Sequence, residues 1–225
     1  IDAPVADILR VVQSLNAQAL AIHLNALQEV MQPEGTPHFR GAFTAIERVV
    51  DELGNAGIPV LLKETGCGFS RSTLERVARL PLAAVDISGL GGTHWGRIEG
   101  ARAKPESIHA QAAQTFADWG VSTPDSVREA REVFSSQKGA NENSEIEVWA
   151  SGGVRSGLDA AKLIALGADR VGYAKPALEA ALAGEKALDH WMELQEFELK
   201  TALFCTGCRT PEALRKEGKW KANIV

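Results

Sequence analysis

Ile146-Glu147-Val148-Trp149-Ala150-Ser151-Gly152-Gly153-Val154-Arg155-Ser156-Gly157 is the stretch that decides the fold. Its first five residues form a short apolar run that reads as a buried strand, and a Gly-Gly turn follows directly. Leu158 to Leu166 then reads as a helix closed by Gly167, whose missing Cβ permits the left-handed turn at a helix end. Ala168-Asp169-Arg170-Val171-Gly172 is the next apolar run. Strand, helix and strand in succession form a crossover unit of a parallel sheet.

The same rhythm extends upstream. Ala19-Leu20-Ala21-Ile22-His23-Leu24, Pro59-Val60-Leu61-Leu62-Lys63 and Ala83-Ala84-Val85-Asp86-Ile87 read as three further strands. Near-continuous apolar strands suit a parallel sheet covered by helices. Ala6 to Val12 reads as a helix already in progress. Ala42 to Asn55 carries Ile46, Val49, Val50 and Leu53 on one face and stops at Gly57, and Ser72 to Leu80 follows a Ser-rich start. Leu178 to Phe204 reads as helical, and Thr210-Pro211 caps and opens a last short helix. Gln137 to Glu145 is polar and reads as a surface loop. Alternating strands and helices make this an α/β fold. Five units are legible, whereas a closed (β/α)8 TIM barrel takes eight strands and about 250 residues. The five would then be units four to eight of one barrel domain over residues 1–225, incomplete at its N-terminus. An open doubly wound sheet is the alternative.

Composition narrows the function. The chain has 225 residues, 45% hydrophobic and 24% charged, and a formal net charge of -5. This is ordinary globular composition, with no basic stripe to favour nucleic acid. No apolar run approaches the roughly 18 residues of a membrane span, and no charged-then-apolar leader opens the chain. Three cysteines are too few for a disulfide scaffold, so a reducing cytoplasm is expected. Cys205 and Cys208 form a C-x-x-C with no further ligands nearby, and read as incidental thiols near a helix end.

Each strand hands over to a polar or Gly-rich segment, the end where parallel α/β folds bind ligands. After the first run, His23 and Asn25 share one side, with Gln28 and Glu29 just beyond at the rim. A rim carboxylate can hold Mg²⁺ together with phosphate oxygens, or the pair is a helix cap or a solvated surface. Lys63 ends its strand at the mouth, either beside a bound anion or paired with Glu64. Ser88-Gly89-Leu90-Gly91-Gly92-Thr93 offers N–H and hydroxyl donors to an anion or a flat heterocycle, or is a plain loop; beyond it Trp95 and Glu99 stand at i, i+4. The turn at Gly152, Gly153, Val154 and Arg155, with Ala174 and Lys175 in the next unit, matches the paired phosphate-binding loops of barrel units seven and eight.

With these segments in hand, the chain resembles the type 2, FMN-dependent isopentenyl-diphosphate isomerases. The likeness runs from about Ala17 to Pro176, and more loosely to Leu214. It is carried by His23-Leu24-Asn25-Ala26-Leu27-Gln28-Glu29, Pro33-Glu34-Gly35, Lys63-Glu64-Thr65-Gly66, Ser88 to Thr93, Ser151 to Asp159 and Ile164 to Asp169. The first of these is the discriminating one; the Ser-Gly-Gly element is shared in kind with other FMN barrels. The resemblance implies a (β/α)8 barrel that interconverts isopentenyl and dimethylallyl diphosphates. It implies FMN, Mg²⁺ and a reductant such as NADPH, no net redox change, and a homo-oligomer. By the same resemblance Gln28 contacts substrate, Glu29 holds Mg²⁺, and His23, Asn25, Trp95 and Glu99 line the pocket. Lys63, Ser88 and Thr93 contact FMN, while Gly152, Gly153, Val154, Arg155, Ala174 and Lys175 hold its phosphate. Three departures stand out: Thr36 where the family usually has Asp, His94 where a smaller polar residue is usual, and a Gln137–Glu145 loop that looks long. Lacking three units, a 225-residue piece is expected to bind FMN poorly and to be inactive alone. The rival readings are an FMN-dependent oxidoreductase on the same barrel and an inactive fragment.

Overall fold

The structure is a computed structural model and describes residues 3–136 and 146–217. The loop expected at 137–145 lies outside the described residues. Five strands, β1 (Leu20–His23), β2 (Val60–Lys63), β3 (Ala84–Asp86), β4 (Glu147–Ala150) and β5 (Arg170–Val171), form one sheet in the order β1-β2-β3-β4-β5. Every neighbouring pair is parallel. Each strand lies beside its neighbour in sequence, with no reversal of order. A doubly wound sheet needs such a reversal at its switch point, so the sheet is an arc of a (β/α)8 barrel.

The helices are α1 (Val5–Ser14), α2 (Ala26–Met31), α3 (Ala42–Asn55), α4 (Arg71–Val77), α5 (Trp95–Arg102), α6 (Ile108–Thr115), α7 (Thr123–Ser136), α8 (Gly157–Leu166), α9 (Lys175–Leu182), α10 (Glu185–Thr206) and α11 (Pro211–Glu217). The periodic face of α3 packs as expected, with Val49, Val50 and Leu53 buried. The outer face of the sheet supplies Leu62, Val85 and Val148, all fully buried. They share one cluster with Leu53 of α3, Leu74 and Val77 of α4, Val127 and Ala130 of α7, and Leu163 of α8.

Local chemistry places the helix ends. Gly57 takes φ +75°, and the N–H of Ile58 returns to the Leu53 carbonyl at 2.9 Å, closing α3. Ser156 caps α8 by accepting the Asp159 N–H (3.0 Å), and Thr210 caps α11 by accepting that of Ala213 (3.2 Å). Two expected ranges change. The helix read from Ser72 to Leu80 is Arg71–Val77, because Ser70 is its cap. The long helix read from Leu178 to Phe204 is two, because Gly184 at φ +113° cannot continue an α-helix. At the opposite end of the sheet from the loops that follow the strands, the Asp169 carboxylate pairs with Arg131 and Arg215 and accepts the Val148 N–H, tying α7, α11 and β4 together. All three cysteines are free; Cys208 is buried and Cys205 exposed.

The packed outer face is testable. Leu62→Ala is expected to cost about 2–5 kcal/mol, read as a lower urea midpoint at unchanged m-value. A loss well under about 1 kcal/mol would mean the face is not packed as described.

Candidate active site

Parallel pairing brings the ends of all five strands to one rim. In register, His23, Lys63, Asp86 and Trp149 form a row across β1 to β4. Their side chains lie on the inner face, opposite the buried Leu62–Val85–Val148 row. The loops beyond that row are bonded one to the next. Asn25 Nδ2 donates to the Thr65 carbonyl (2.6 Å), Gly66 N–H to the Ser88 carbonyl (2.7 Å), and Ser151 Oγ to Asp86 Oδ1 (2.7 Å). Gly172 N–H reaches the Ala150 carbonyl (2.8 Å). The Gln28-Glu29 pair and the Gly152-Gly153 turn therefore occupy the same end of the molecule.

Gln28 and Glu29 sit in the first turn of α2, a helix absent from the sequence reading. Asn25 is its cap, accepting the Gln28 N–H at 2.8 Å while donating to Thr65. Its amide is thus bound at both ends, and Asn25 shapes the rim. Gln28 Nε2 lies 3.3 Å from Glu99 Oε1, which joins the first segment to α5. Glu99 is 2% exposed and is paired with Arg102 at 2.7 Å. Trp95, one turn earlier, remains 36% exposed, so the i, i+4 pair has one inward and one outward member. Glu29 accepts the Thr36 N–H through Oε2 (2.9 Å); the residue that departs from the family pattern serves here through its backbone. His23 lines a cavity of about 720 Å³ with Asn25, Glu29 and Arg40. Partial enclosure, and then the Lys63 ammonium, lower its pKa below the ordinary imidazole value.

Lys63 donates to the Glu64 backbone carbonyl (3.1 Å) and to Thr65 Oγ1 (2.9 Å), so the pairing considered with the Glu64 carboxylate is not made. That carboxylate turns away and accepts the N–H groups of Cys67 (2.6 Å) and Gly68 (3.1 Å). Burial pushes its pKa up to about 7, against the opposing pull of those N–H groups and of Lys63. Burial and the Glu64 charge push the Cys67 thiol up to about 12. Asp86 also lies above its usual range through burial, although Ser151 Oγ and the Ser88 N–H stabilise its charge. Ser88 holds φ +37°, a rare conformation for a side-chain-bearing residue.

The glycines permit the loops to meet. A Cβ on Gly66 would fall 2.4 Å from the Thr93 carbonyl oxygen, and one on Gly92 would fall 2.4 Å from Gly153 N. Arg155 spans the same gap, its Nη2 3.3 Å from the Gly91 carbonyl. Val154 is buried, leaving only its backbone for a ligand. Ala174 precedes α9, and Lys175 is exposed beside Glu179 (3.6 Å). His94, the second departure, is a buried cap: Nδ1 accepts the Arg97 N–H at 3.2 Å and Nε2 sits 3.2 Å from the Trp119 carbonyl, fixing the start of α5. The structural roles of Glu64, Asp86 and His94 were not legible as such in the sequence. Among the described residues, no group of three or more His, Cys, Asp or Glu could hold a metal ion, so Glu29 offers one carboxylate.

A parallel barrel arc with a glycine-lined rim defines a class. Residues 70–221 match the FMN-dependent dehydrogenase family, and the chain belongs to it. Among individual proteins, it is 51% identical over 217 residues to an isopentenyl-diphosphate delta-isomerase of Legionella pneumophila (strain Paris), covering 96% of this chain and 60% of that one. It is 48% identical to the Bdellovibrio bacteriovorus protein of the same name, with coverage of 96% and 59%. The chain thus spans about 60% of the length of these curated relatives. Of solved structures, a flavocytochrome b2 mutant with benzoylformate matches with a TM-score of 0.63 at 18% identity, over 94% of this chain and 49% of that one. A mandelate oxidase mutant with an FMN adduct gives 0.58 at 19%, over 93% and 57%. These structural likenesses bear on the fold alone.

Glu64 gives a pH signature. Its folded pKa of about 7 lies above its ordinary value of 4.5, so below the latter both states carry the proton. As pH rises through this interval the unfolded chain ionises first, and the fold loses stability. Glu64→Gln is expected to flatten that decline, measured by denaturant unfolding at about pH 5 and about pH 8. Identical pH dependence in both proteins would refute the assignment.

Proposed function

We propose that the chain carries the active-site part of an FMN- and Mg²⁺-dependent isopentenyl-diphosphate isomerase of the cytoplasm. The reaction is the interconversion of isopentenyl and dimethylallyl diphosphates for isoprenoid biosynthesis, with NADPH as reductant and no net redox change. The observation that carries this reading is the 3.3 Å approach of Gln28 Nε2 to Glu99 Oε1, on the same rim as the Ser151–Gly153 turn. The relatives' shared name and the FMN-dependent family support it.

The residues fit the groups that this reading implies. Gly152 and Gly153 adopt φ +93° and +82°, and no described protein acceptor takes the N–H of Gly152, Gly153 or Val154. Orphan backbone donors suit a phosphate; Arg155 next to them and Lys175 at the start of α9 would add charge, and Ala174 would contribute backbone. Lys63 keeps its ammonium at the strand end through the Glu64 carbonyl and Thr65 Oγ1, and with Ser88 and Thr93 it would contact the flavin ring. Bound reduced FMN supplies acid and base for a 1,3-proton shift that no side chain here is acidic enough to start. Glu29 keeps one carboxylate oxygen without a described protein donor, which suits Mg²⁺ completed by diphosphate oxygens. Gln28 orients the substrate, His23 and Trp95 wall the pocket, and Glu99 and Asn25 hold Gln28 and its helix in place. A homo-oligomer is in keeping with Phe197 and Phe204 of α10, which are 68% and 86% exposed.

An oxidoreductase on the same scaffold is favoured by the family's description, but Glu29 beside His23 places a carboxylate suited to Mg²⁺ where that chemistry wants a lone proton acceptor. The deciding assay supplies isopentenyl diphosphate, FMN, Mg²⁺ and NADPH to the 225-residue chain, alone and together with a polypeptide supplying the rest of the relatives' length. Dimethylallyl diphosphate without matching NADPH consumption is expected from the completed protein and no turnover from the chain alone, and stoichiometric consumption would support the oxidoreductase. Glu29→Gln should raise the Mg²⁺ concentration for half-maximal rate by at least about tenfold; an unchanged Mg²⁺ dependence would remove Glu29 from the metal site.

A further inference from the structure

The segment Val121 to Ser126, at the start of α7, belongs to none of the five strand-end loops, yet it is bonded to three of them. Val121 N–H donates to the Cys67 carbonyl (2.8 Å), and Leu90 N–H donates to the Val121 carbonyl (2.9 Å). Ser126 Oγ donates to the Phe69 carbonyl (2.9 Å) and accepts the Phe69 N–H (3.0 Å). Thr123 N–H donates to the Leu90 carbonyl (3.2 Å), while its hydroxyl lies 2.7 Å from the Gly152 carbonyl and 3.1 Å from that of Ser151. Thr123 is 3% exposed and faces these loops directly: a Cβ on Gly89 would fall 2.5 Å from Thr123 Cα.

The hydroxyl has one proton to give, shared between two carbonyls with the shorter contact to Gly152. The Ser151 carbonyl also receives the Gly89 N–H (3.2 Å), whereas the Gly152 carbonyl has only Thr123 among the described residues. In a trans peptide, C=O and N–H point in opposite directions. Holding the carbonyls of Ser151 and Gly152 against Thr123 therefore turns the N–H groups of Gly152 and Gly153 away from it. Both glycines have positive φ, where the backbone flips at little steric cost, so the turn does not set its own direction.

We infer that Thr123 is a positioning residue: its hydroxyl sets the polarity of the Ser151-Gly152-Gly153 peptides so that their N–H groups present a formed cradle to the phosphate of the flavin. The inference rests on the flavin reading above and adds to it a residue outside the strand-end loops. It separates binding of the phosphate from binding of the ring.

The test compares FMN with riboflavin, which lacks the phosphate, by fluorescence quenching in wild type, Thr123→Val and Thr123→Ser, each completed by a polypeptide supplying the rest of the relatives' length. Inorganic phosphate is titrated in parallel while the amide resonances of Gly152 and Gly153 are followed. Thr123→Val keeps the shape and removes the donor; it should weaken FMN and phosphate by at least about tenfold and leave riboflavin unchanged. Thr123→Ser keeps the donor and should retain the wild-type preference for FMN over riboflavin. Equal weakening of both flavins in Thr123→Val, or none, overturns the inference. Should Thr123→Val fail to fold, loss of the preference in a folded Thr123→Ser overturns it as well. Should the completed wild-type protein show no preference for FMN, and its two glycine amides ignore phosphate, the flavin reading itself is sunk instead.

Discussion

The direction of the sheet is the constraint on which the rest depends. Because all five strands run parallel and lie in sequence order, every strand-to-helix loop emerges at one rim. The short apolar strands end in polar or chargeable residues, His23, Lys63 and Asp86, so an in-register row of such groups forms without any of them having to be buried in the outer core. The outer face of the sheet thereby carries the hydrophobic packing, and the rim beyond the strand ends carries the candidate site. The ion pairs of Asp169 with Arg131 and Arg215 at the far end do for the base what the glycine contacts do for the rim.

Carboxylates at the rim divide by what they hold. Glu64 and Asp86 spend their oxygens on backbone N–H groups and a serine hydroxyl, which fixes loop shape at the expense of desolvation. Glu99 is neutralised by Arg102 and steadies Gln28. Glu29 and Asp86 are both partly exposed, but Asp86 also accepts the Ser151 hydroxyl, whereas Glu29 has one backbone N–H as its sole described donor, which is why the divalent ion is proposed there. Four acids of similar sequence appearance thus have different work, set by burial and by what lies within hydrogen-bond reach.

Much of the fold was legible because buried parallel strands and the helix α3 announce themselves by apolar runs and period. The strand positions agree to within a residue or two, and the helix stops at Gly57 and Gly167 are where they were expected. Other elements left no such mark. The α2 helix is too short to show a period, and α5 and α6 meet through small residues, Gly100 against Ala113, leaving no apolar stripe. The α7 helix did carry a readable start, since Ser122 and Asp125 bond each other as a cap before Pro124. The roles of Asn25 and Thr123 are long-range, each defined by a bond to a loop remote in sequence, and that of Glu64 is set by its enclosure; neither periodicity nor local spacing encodes those.

Gly92 and Gly153 touch through backbone alone, with no room for a methyl group on the first. Two loops separated in sequence by α5, α6 and α7 are consequently a single unit for purposes of variation. A mutational library that diversifies one glycine segment while freezing the other would search almost empty space, and grafting this rim onto another barrel would require transplanting both segments together.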